Sequence, residues 1–381
     1  MNLTTPGPVV GVVGGGQLGR MLGEAAGPLG VEVVALDPTP NPPAAPLVSE
    51  TIAADFDDRE AVLDLASRAD VLTYEIELAD ADLLAEASEE TGTPVYPDPE
   101  ALRTTQDKLR EKEWLADAGV PVPEFAGVEG AEDVRRAGDR MGWPLMLKAR
   151  EGGYDGRGNA PVEGPEAAGD ALAAVDGPAL VESFVPYERE LAVMGIRGAE
   201  GTATMPVTET VHEEEILRAM VVPPRTDDAT RERAREVAEE VLAALEGRGI
   251  FGIELFERED GEILVNEIAP RPHNSGHWTI EGARCSQFGQ HLRAVLGWPL
   301  GGTDARGPAV TANLLGGVDE PRPASLSGVE AILDEPAAAL HWYGKREARP
   351  LRKMGHVTLT GDDTDALLDR ARDLRDGVTF R

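Results

Sequence analysis

Cysteine is almost missing. Cys285 is the only one in 381 residues, so no disulfide can close within the chain and no cysteine-based zinc site can form; a reducing compartment is permitted. Lysine is nearly as scarce, with five lysines against 31 arginines. Basic charge as a whole is short: 69 acidic residues face 36 basic ones, a formal net charge of -33. That balance repels nucleic acid and anionic membranes and leaves no basic stripe for a phosphate backbone. No run of about 18 apolar residues occurs, and the N-terminus lacks the basic segment and apolar stretch of a signal peptide. The expectation is a soluble, cytoplasmic protein without nucleic-acid or membrane partners. A GxxxxGK[ST] phosphate loop is also absent, so any nucleotide must be held in another way.

What is present is enough for a sizeable core. The apolar fraction is an ordinary 41%, and the acids are interleaved with helix formers, unlike a disordered acidic tract. The length implies two or three domains with a cleft between them. The opening alternates strand, glycine turn, helix and strand: an apolar run over 9–13, glycines 14–16, a helix predicted over 17–29 and a strand over 31–36. A second such unit follows, with helix 59–68, strand 70–74 and helix 80–91. Residues 1–105 therefore form a small parallel α/β domain. A helix is predicted over 105–118, stopped by Gly119 and Pro121, and opens an α+β domain that runs to a Gly/Pro-rich linker beginning near 298. The remainder, 299–381, carries strands near 309–315, 340–343 and 356–360 and a helix over 364–375. It is too small to stand alone and should pack on the rest.

Gly14-Gly15-Gly16-Gln17-Leu18-Gly19 satisfies GxGxxG between a strand and a helix, and Asp37 ends the next strand, the pattern of a nicotinamide dinucleotide site. The physics of that motif is only that glycines let N–H groups approach an anion at a helix N-terminus. A more specific set of residues lies downstream. GIFGIELFE at 249–257 and EILVNEIAP at 262–270 read as two strands joined at Asp260-Gly261. A two-residue turn there sets Glu254 opposite Glu267. Facing carboxylates on otherwise apolar strands need a cation, and oxygen-only ligands point to magnesium completed by substrate phosphates. Lys148 ends an apolar strand and is followed by a loop with Gly152, Gly153, Gly156 and Gly158, also carrying Tyr154, Asp155 and Arg157, suited to folding over phosphates. Arg271, His273, Asn274 and His277 crowd together and suit a small anion. The stretch from His341 to His356, with Lys345, Arg349, Arg352 and Lys353, reads as a phosphate clamp.

Together GGGQLGRM at 14–21, TYEIE at 73–77, GGYDGRG at 152–158, NEIAPRPHNSGHWT at 266–279, HWYGK from 341 and RPLRKMGH to 356 closely resemble the N5-carboxyaminoimidazole ribonucleotide synthase family of ATP-grasp carboxylases. The resemblance implies an α/β and α+β fold with a Rossmann-like N-terminal domain, 1–105, a two-lobed ATP-grasp domain, 106–298, and a small C-terminal domain, 299–381. It implies ATP and Mg2+ as cofactors, aminoimidazole ribonucleotide and bicarbonate as substrates, and a homodimer. ATP would be met by Arg103, Lys148, the loop Gly153, Tyr154, Asp155, Gly156, Arg157, Gly158 and Asn159, the segment Glu182, Ser183, Phe184 and Val185, then Glu190, His212, Asn266 and Glu267. Glu254 and Glu267 would hold the metal; Tyr154, Asp155, Arg271, His273, Lys345 and Arg352 would hold the other substrates, with Asp155, Arg271, His273 and Lys345 nearest the chemistry. Asn266 comes from the resemblance alone, since a regular strand points it away from Glu267. A formate-dependent purine transformylase or a biotin carboxylase would share the ATP site, but HNSGHWT and HWYGK favour the aminoimidazole substrate. A regulatory module that binds ATP without turnover would have no need of Glu254, Glu267 and Lys148.

Overall fold

The computed structural model describes residues 4–152, 158–175 and 177–381. The first sheet is parallel, in the spatial order Glu50–Ile52, Glu32–Leu36, Val9–Val13, Val71–Tyr74. The two strands VVGVV and VLTY are buried almost throughout, as continuous apolar strands inside a parallel sheet must be. The helix predicted over 17–29 is α-helical only over Gln17–Ala26, and a 3-10 turn, Gly27–Leu29, completes it. Pro28 explains the change: it has no N–H to continue the α-helical ladder.

The helix predicted over 105–118 runs over Lys108–Asp117, and its first residues belong instead to a separate helix, Pro99–Gln106. Asp107 divides them. Its backbone is extended and its carboxylate accepts from the N–H groups of Leu109 and Arg110, so the side chain caps a new helix instead of continuing the old one. The new helix starts with Lys108 and carries Lys112 one turn later.

Two further sheets follow. Phe125–Val128, Ala179–Ser183, Leu145–Ala149 and Asn159–Val162 form an antiparallel sheet, packed through Leu145, Leu147 and Val181 against Val134 of the helix Ala131–Met141 and Ala168 of Ala168–Ala174. The larger antiparallel sheet runs in the order Ile263–Ala269, Gly249–Arg258, Tyr187–Arg197, Thr208–Glu213, Ile216–Val222, Ala309–Leu315, Lys353–Thr360, Ala338–Trp342. The C-terminal strands thus continue the preceding sheet through the pairing of Ala309–Leu315 with Ile216–Val222. The helix Thr364–Asp376 closes that end with Leu368 and Leu374. No helix among the described residues is long and apolar enough to cross a membrane.

The parallel sheet is joined to the large one by a shared core. Phe288, Leu292 and Val295, on the helix Gln287–Val295, pack with Val10, Val12, Leu18, Met21 and Leu22. Within this contact His291 is fully buried. Its Nδ1 accepts from Ile250 N–H at 3.2 Å, which leaves the proton on Nε2 to donate to Thr73 Oγ1 at 2.8 Å. One neutral imidazole therefore bolts the strand that leads into TYEIE to the strand that leads to Glu254. Burial holds His291 down to about 3. An unfolded histidine binds a proton below about 6.5, so between pH 6.5 and 3 the unfolded chain holds the extra proton and stability falls as pH falls. His291→Gln should remove this contribution: stability from urea unfolding, plotted against pH between 4 and 6, should be shallower than for the parent by about 1.4 kcal/mol per pH unit.

Candidate active site

The hairpin that carries the two facing acids has a longer turn than the sequence suggested. Arg258 N–H donates to Glu262 O and Gly261 N–H to Arg258 O, giving a three-residue loop, Glu259-Asp260-Gly261, with Gly261 at φ +80, a conformation that glycine adopts freely. The extra loop residue shifts the register by one, so that Leu255 faces Val265. A β-bulge then shifts it back. Asn266 is the additional residue, and beyond it Glu254 faces Glu267 after all. The bulge also answers why Asn266 belongs with its neighbour. In a regular strand it would point to the opposite face; the added residue breaks that alternation, and Asn266 Oδ1 lies 3.2 Å from Lys148 Nζ while Glu267 Oε2 lies 2.6 Å from Lys108 Nζ.

Those lysines belong to a charge lattice between the two antiparallel sheets, buried around Glu182 and partly exposed at Lys108 and Glu267. Lys148, on Leu145–Ala149, donates to Glu182 Oε2 at 2.8 Å. Lys112, 1% exposed, lies 3.4 Å from Glu182 Oε1. Burial alone would raise the Glu182 pKa, but the Lys112 and Lys148 ammonium groups overcome it and hold the carboxyl down to about 2. The Lys108 ammonium does the same for Glu267, also held to about 2. Glu254 has only the weaker effects of His212 and Lys353 on its side. Burial and the adjacent Glu267 charge push it up to about 7.

This donor set fits magnesium. Glu254 and Glu267 supply oxygen only, and burial with the Glu267 charge outweighs the positive groups near Glu254, so a cation between the two would favour its ionised form. Among the described residues no group of three or more His, Cys, Asp or Glu could hold a metal, so further ligands would have to come from substrate phosphates, water or the Asn266 amide, in the manner usual for magnesium.

Of the residues expected from the sequence, the structure brings Glu190, His212, Arg271 and His273, with Lys148, to this centre. His212 Nδ1 lies 3.1 Å from Glu190 Oε1. His273 Nδ1 lies 2.9 Å from Ser275 Oγ and 3.7 Å from Glu254 Oε1; burial, then the Arg271 charge, holds its ring down to about 3, so it is neutral at pH 7. Arg271 ion-pairs with Glu77, and both Arg271 and Lys345 act electrostatically on Glu75. Lys345 Nζ donates to Lys353 O at 2.7 Å, and Arg352 Nη1 to Glu347 O at 2.9 Å. Gly158 and Asn159 close the loop after Lys148, with Asn159 directly opposite Lys148 in the ladder. Ser183, Phe184 and Val185 follow Glu182, with Phe184 and Tyr187 exposed and Tyr187 stacked on Phe256. The Glu182 carboxylate itself turns toward the lysines, so a base bound here would meet this segment through its backbone. Gly153, Tyr154, Asp155, Gly156 and Arg157 lie outside the described residues.

Arg103 stands apart. It is engaged by the exposed carboxylates of Asp82 and Glu100, and the cation that reaches Glu267 is Lys108, at the start of the next helix. Sequence reasoning missed Lys108, Lys112 and Glu75. The glycine fingerprint is also occupied from within: Gly16 N–H donates to Glu75 Oε1 and Gly15 N–H to Asp37 Oδ2. A Cβ at Gly14 or Gly16 would fall within 2.5 Å and 2.8 Å of the Glu75 side chain, so these glycines make room for the protein's own carboxylate.

Two antiparallel lobes with facing lysines and carboxylates between them define an ATP-grasp protein, and the ATP-grasp domain model matches residues 113–288. It is flanked by matches to the ribonucleotide synthetase preATP-grasp domain, 8–106, and the phosphoribosylaminoimidazole carboxylase C-terminal domain, 309–370. The chain belongs to the N5-carboxyaminoimidazole ribonucleotide synthase family. A synthase of that name from Brucella melitensis is 42% identical over 361 residues, 93% of this chain and 96% of the relative. The crystal structure of the Thermotoga maritima synthetase is similar at TM-score 0.89 and 41% identity, covering 98% of this chain and 99% of that one. An Aspergillus clavatus synthase in complex with ADP and 5-aminoimidazole ribonucleotide is similar at TM-score 0.89 and 36% identity, over 97% of this chain and 98% of that one.

Glu182→Gln should leave two buried ammonium groups short of a counter-charge. Breaking a buried pair from one side costs about 3–5 kcal/mol, so the unfolding midpoint at pH 7 should drop sharply in a thermal or urea scan. The folded pKa of Glu182 is depressed, so its contribution is present above the unfolded carboxylate value and is lost as pH falls toward about 2; the variant and parent should converge in stability on acidification.

Proposed function

We propose that this protein carboxylates 5-aminoimidazole ribonucleotide with bicarbonate at the expense of ATP, yielding N5-carboxyaminoimidazole ribonucleotide, ADP and phosphate in purine biosynthesis. The observation that carries this is the adjacency of two sites: Arg271 and His273 follow Glu267 along the chain, and His273 Nδ1 lies 3.7 Å from Glu254 Oε1. A small anion held by Arg271 and His273 would sit beside the end of ATP at which phosphoryl transfer occurs.

In this reading bicarbonate oxygen attacks the γ-phosphorus, the bond to the ADP oxygen breaks, and carboxyphosphate forms. Carboxyphosphate then releases phosphate and delivers carbon dioxide to the exocyclic amine, which loses a proton as the carbamate N–C bond forms. Lys148 offsets charge on the phosphates, a task of positioning and electrostatics, and Lys108 takes the place that the sequence suggested for Arg103. Glu254 and Glu267, with Asn266, would hold magnesium, which when bound supplies positive charge to the phosphate oxygens. Neutral His273 would donate from Nε2 to bicarbonate, and Arg271 would exchange its contact with Glu77 for the anion. Lys345 and Arg352 would meet the ribonucleotide phosphate. Asp155 is the candidate proton acceptor at the amine, with Tyr154 beside it, and the loop from Gly153 would exclude water that hydrolyses carboxyphosphate. Division of the chain at 105 and 298, a cytoplasmic location and a homodimeric state belong to the same proposal; sedimentation at micromolar concentration tests the last.

ADP release with magnesium and bicarbonate should be strongly stimulated by 5-aminoimidazole ribonucleotide. Stimulation by formate with another purine ribonucleotide, or by biotin, would keep the ATP site and overturn the substrate. Glu267→Gln should lower ADP formation by about 100-fold or more, the scale of losing one charge-stabilising group in a preorganised site; full activity would falsify the metal assignment.

A further inference from the structure

The bulge beside Glu267 is held from outside the sheet. The strand Ile263–Ala269 is an edge of the large sheet, so its outward N–H and C=O groups need partners from elsewhere. Val265 N–H donates to Pro121 O at 2.8 Å, and Ile268 N–H to Glu111 Oε2 at 3.2 Å. Between them the Lys112 ammonium donates to two carbonyls, Val265 O at 2.9 Å and Asn266 O at 2.8 Å. Consecutive carbonyls of a regular strand point to opposite edges. Both can meet one cation here because Asn266 is the extra residue of the bulge. The ammonium also ion-pairs, without a hydrogen bond, with Glu182 Oε1 at 3.4 Å on the other lobe. Two carbonyls and one carboxylate surround the ammonium, and the group is 1% exposed, so it is enclosed by protein groups rather than open to a ligand.

We propose that Lys112 is a positioning residue for phosphoryl transfer: by drawing in the carbonyls of Val265 and Asn266 and tying them to Glu182, it fixes the bulge that sets Glu267 against Glu254. It touches neither metal nor nucleotide and acts through Asn266 and Glu267. Glu111 secures the far side of the same bulge at Ile268. Arginine could not replace the lysine, because a planar fork directs its N–H groups outward in one plane, whereas an ammonium gathers converging acceptors onto one atom.

This inference rests on Glu254 and Glu267 as the magnesium site, and the test separates the two. ADP affinity is measured by calorimetry with and without magnesium for the parent, Lys112→Met, Lys112→Gln and Glu267→Gln, with circular dichroism to establish folding. Outer-shell partners of metal ligands are worth about 10- to 100-fold in metal affinity. Lys112→Met should lose a factor of that size from the magnesium-dependent gain in ADP affinity, keep its metal-free ADP affinity, and exchange the amides of 263–269 faster. Lys112→Gln retains two N–H donors for the carbonyls and should recover part of the gain; where Lys112→Met does not fold, this variant alone decides, by a partial loss. A folded Lys112 variant with the parent's full magnesium-dependent gain overturns the proposal, provided that Glu267→Gln has lost it. If Glu267→Gln retains the gain, the metal assignment itself has failed.

Discussion

Glu182 and Glu267 stand on different sheets, each ionised in a setting where burial opposes charge, and each is kept so by lysines. Lys148 and Lys112 hold the first, Lys108 the second, and Lys148 also reaches Asn266 beside Glu267. Lys148 and Glu182 share a sheet, but Lys148 also reaches Asn266 on the other sheet, and Lys112 meets both Glu182 and the carbonyls of Val265 and Asn266, so the cations that make the carboxylates tolerable also fix how the lobes face one another. Desolvation of this much charge is expensive, and replacing a buried ion pair by apolar side chains is often neutral or stabilising. A lattice that costs stability and still closes the cleft is better explained by what the cleft must bind, a polyanion and its counter-cation, than by the needs of the core.

The distribution of cations follows from the same demand. Arginine supplies the exposed helix pairs, as in Arg235 with Glu232 and Glu239 or Arg233 with Glu240; exposed pairs of this kind contribute little each. The lysines lie elsewhere. Lys108, Lys112 and Lys148 form the lattice, Lys353 acts electrostatically on Glu254 and His273, and Lys345 on Glu75. A flexible stem ending in one compact charge suits a closed space lined by several acceptors. In a chain with 31 arginines and five lysines, the scarcity itself marked the site, and it would have found Lys108 and Lys112 without any structure.

Local rules carried the sequence reading as far as local rules reach. Apolar runs located the strands Val9–Val13 and Val71–Tyr74 and the strand that ends in Lys148, two strands and a turn located the acidic hairpin, and the family resemblance located Glu182. The start of the helix at Lys108 was legible in principle, since Asp107 before it is a strong N-cap, but residues 105 and 106 also read as helix and nothing local forced a break. The pairing of Glu254 with Glu267 was inferred from a two-residue turn that does not exist; a longer turn and a bulge each shift the register by one and cancel. Such compensation depends on Lys112, Glu111 and Pro121, remote in sequence from the hairpin, and no pattern within the hairpin encodes them. Arg103 came from the family resemblance alone, yet which of several cations enters a cleft depends on where a helix restarts.

The glycine fingerprint shows what such a motif does specify. Gly14, Gly15 and Gly16 build the close backbone approach at the start of Gln17–Ala26 that would cradle a phosphate, and the N–H groups there do bind anions: the carboxylates of Glu75 and Asp37. Glu75 is supplied by TYEIE on the neighbouring strand, and Cβ atoms on Gly14 and Gly16 would collide with it. Burial pushes its pKa up to about 7, opposed by the Gly16 N–H and then by Arg271, so the helix N-terminus holds an internal acid in electrostatic reach of the residues assigned to bicarbonate and ribonucleotide. The motif fixes a backbone shape and a preference for negative charge. Whether that charge belongs to a cofactor or to the protein is decided by the adjacent strand, and here the protein has filled the cradle and moved nucleotide binding to the lobes that follow.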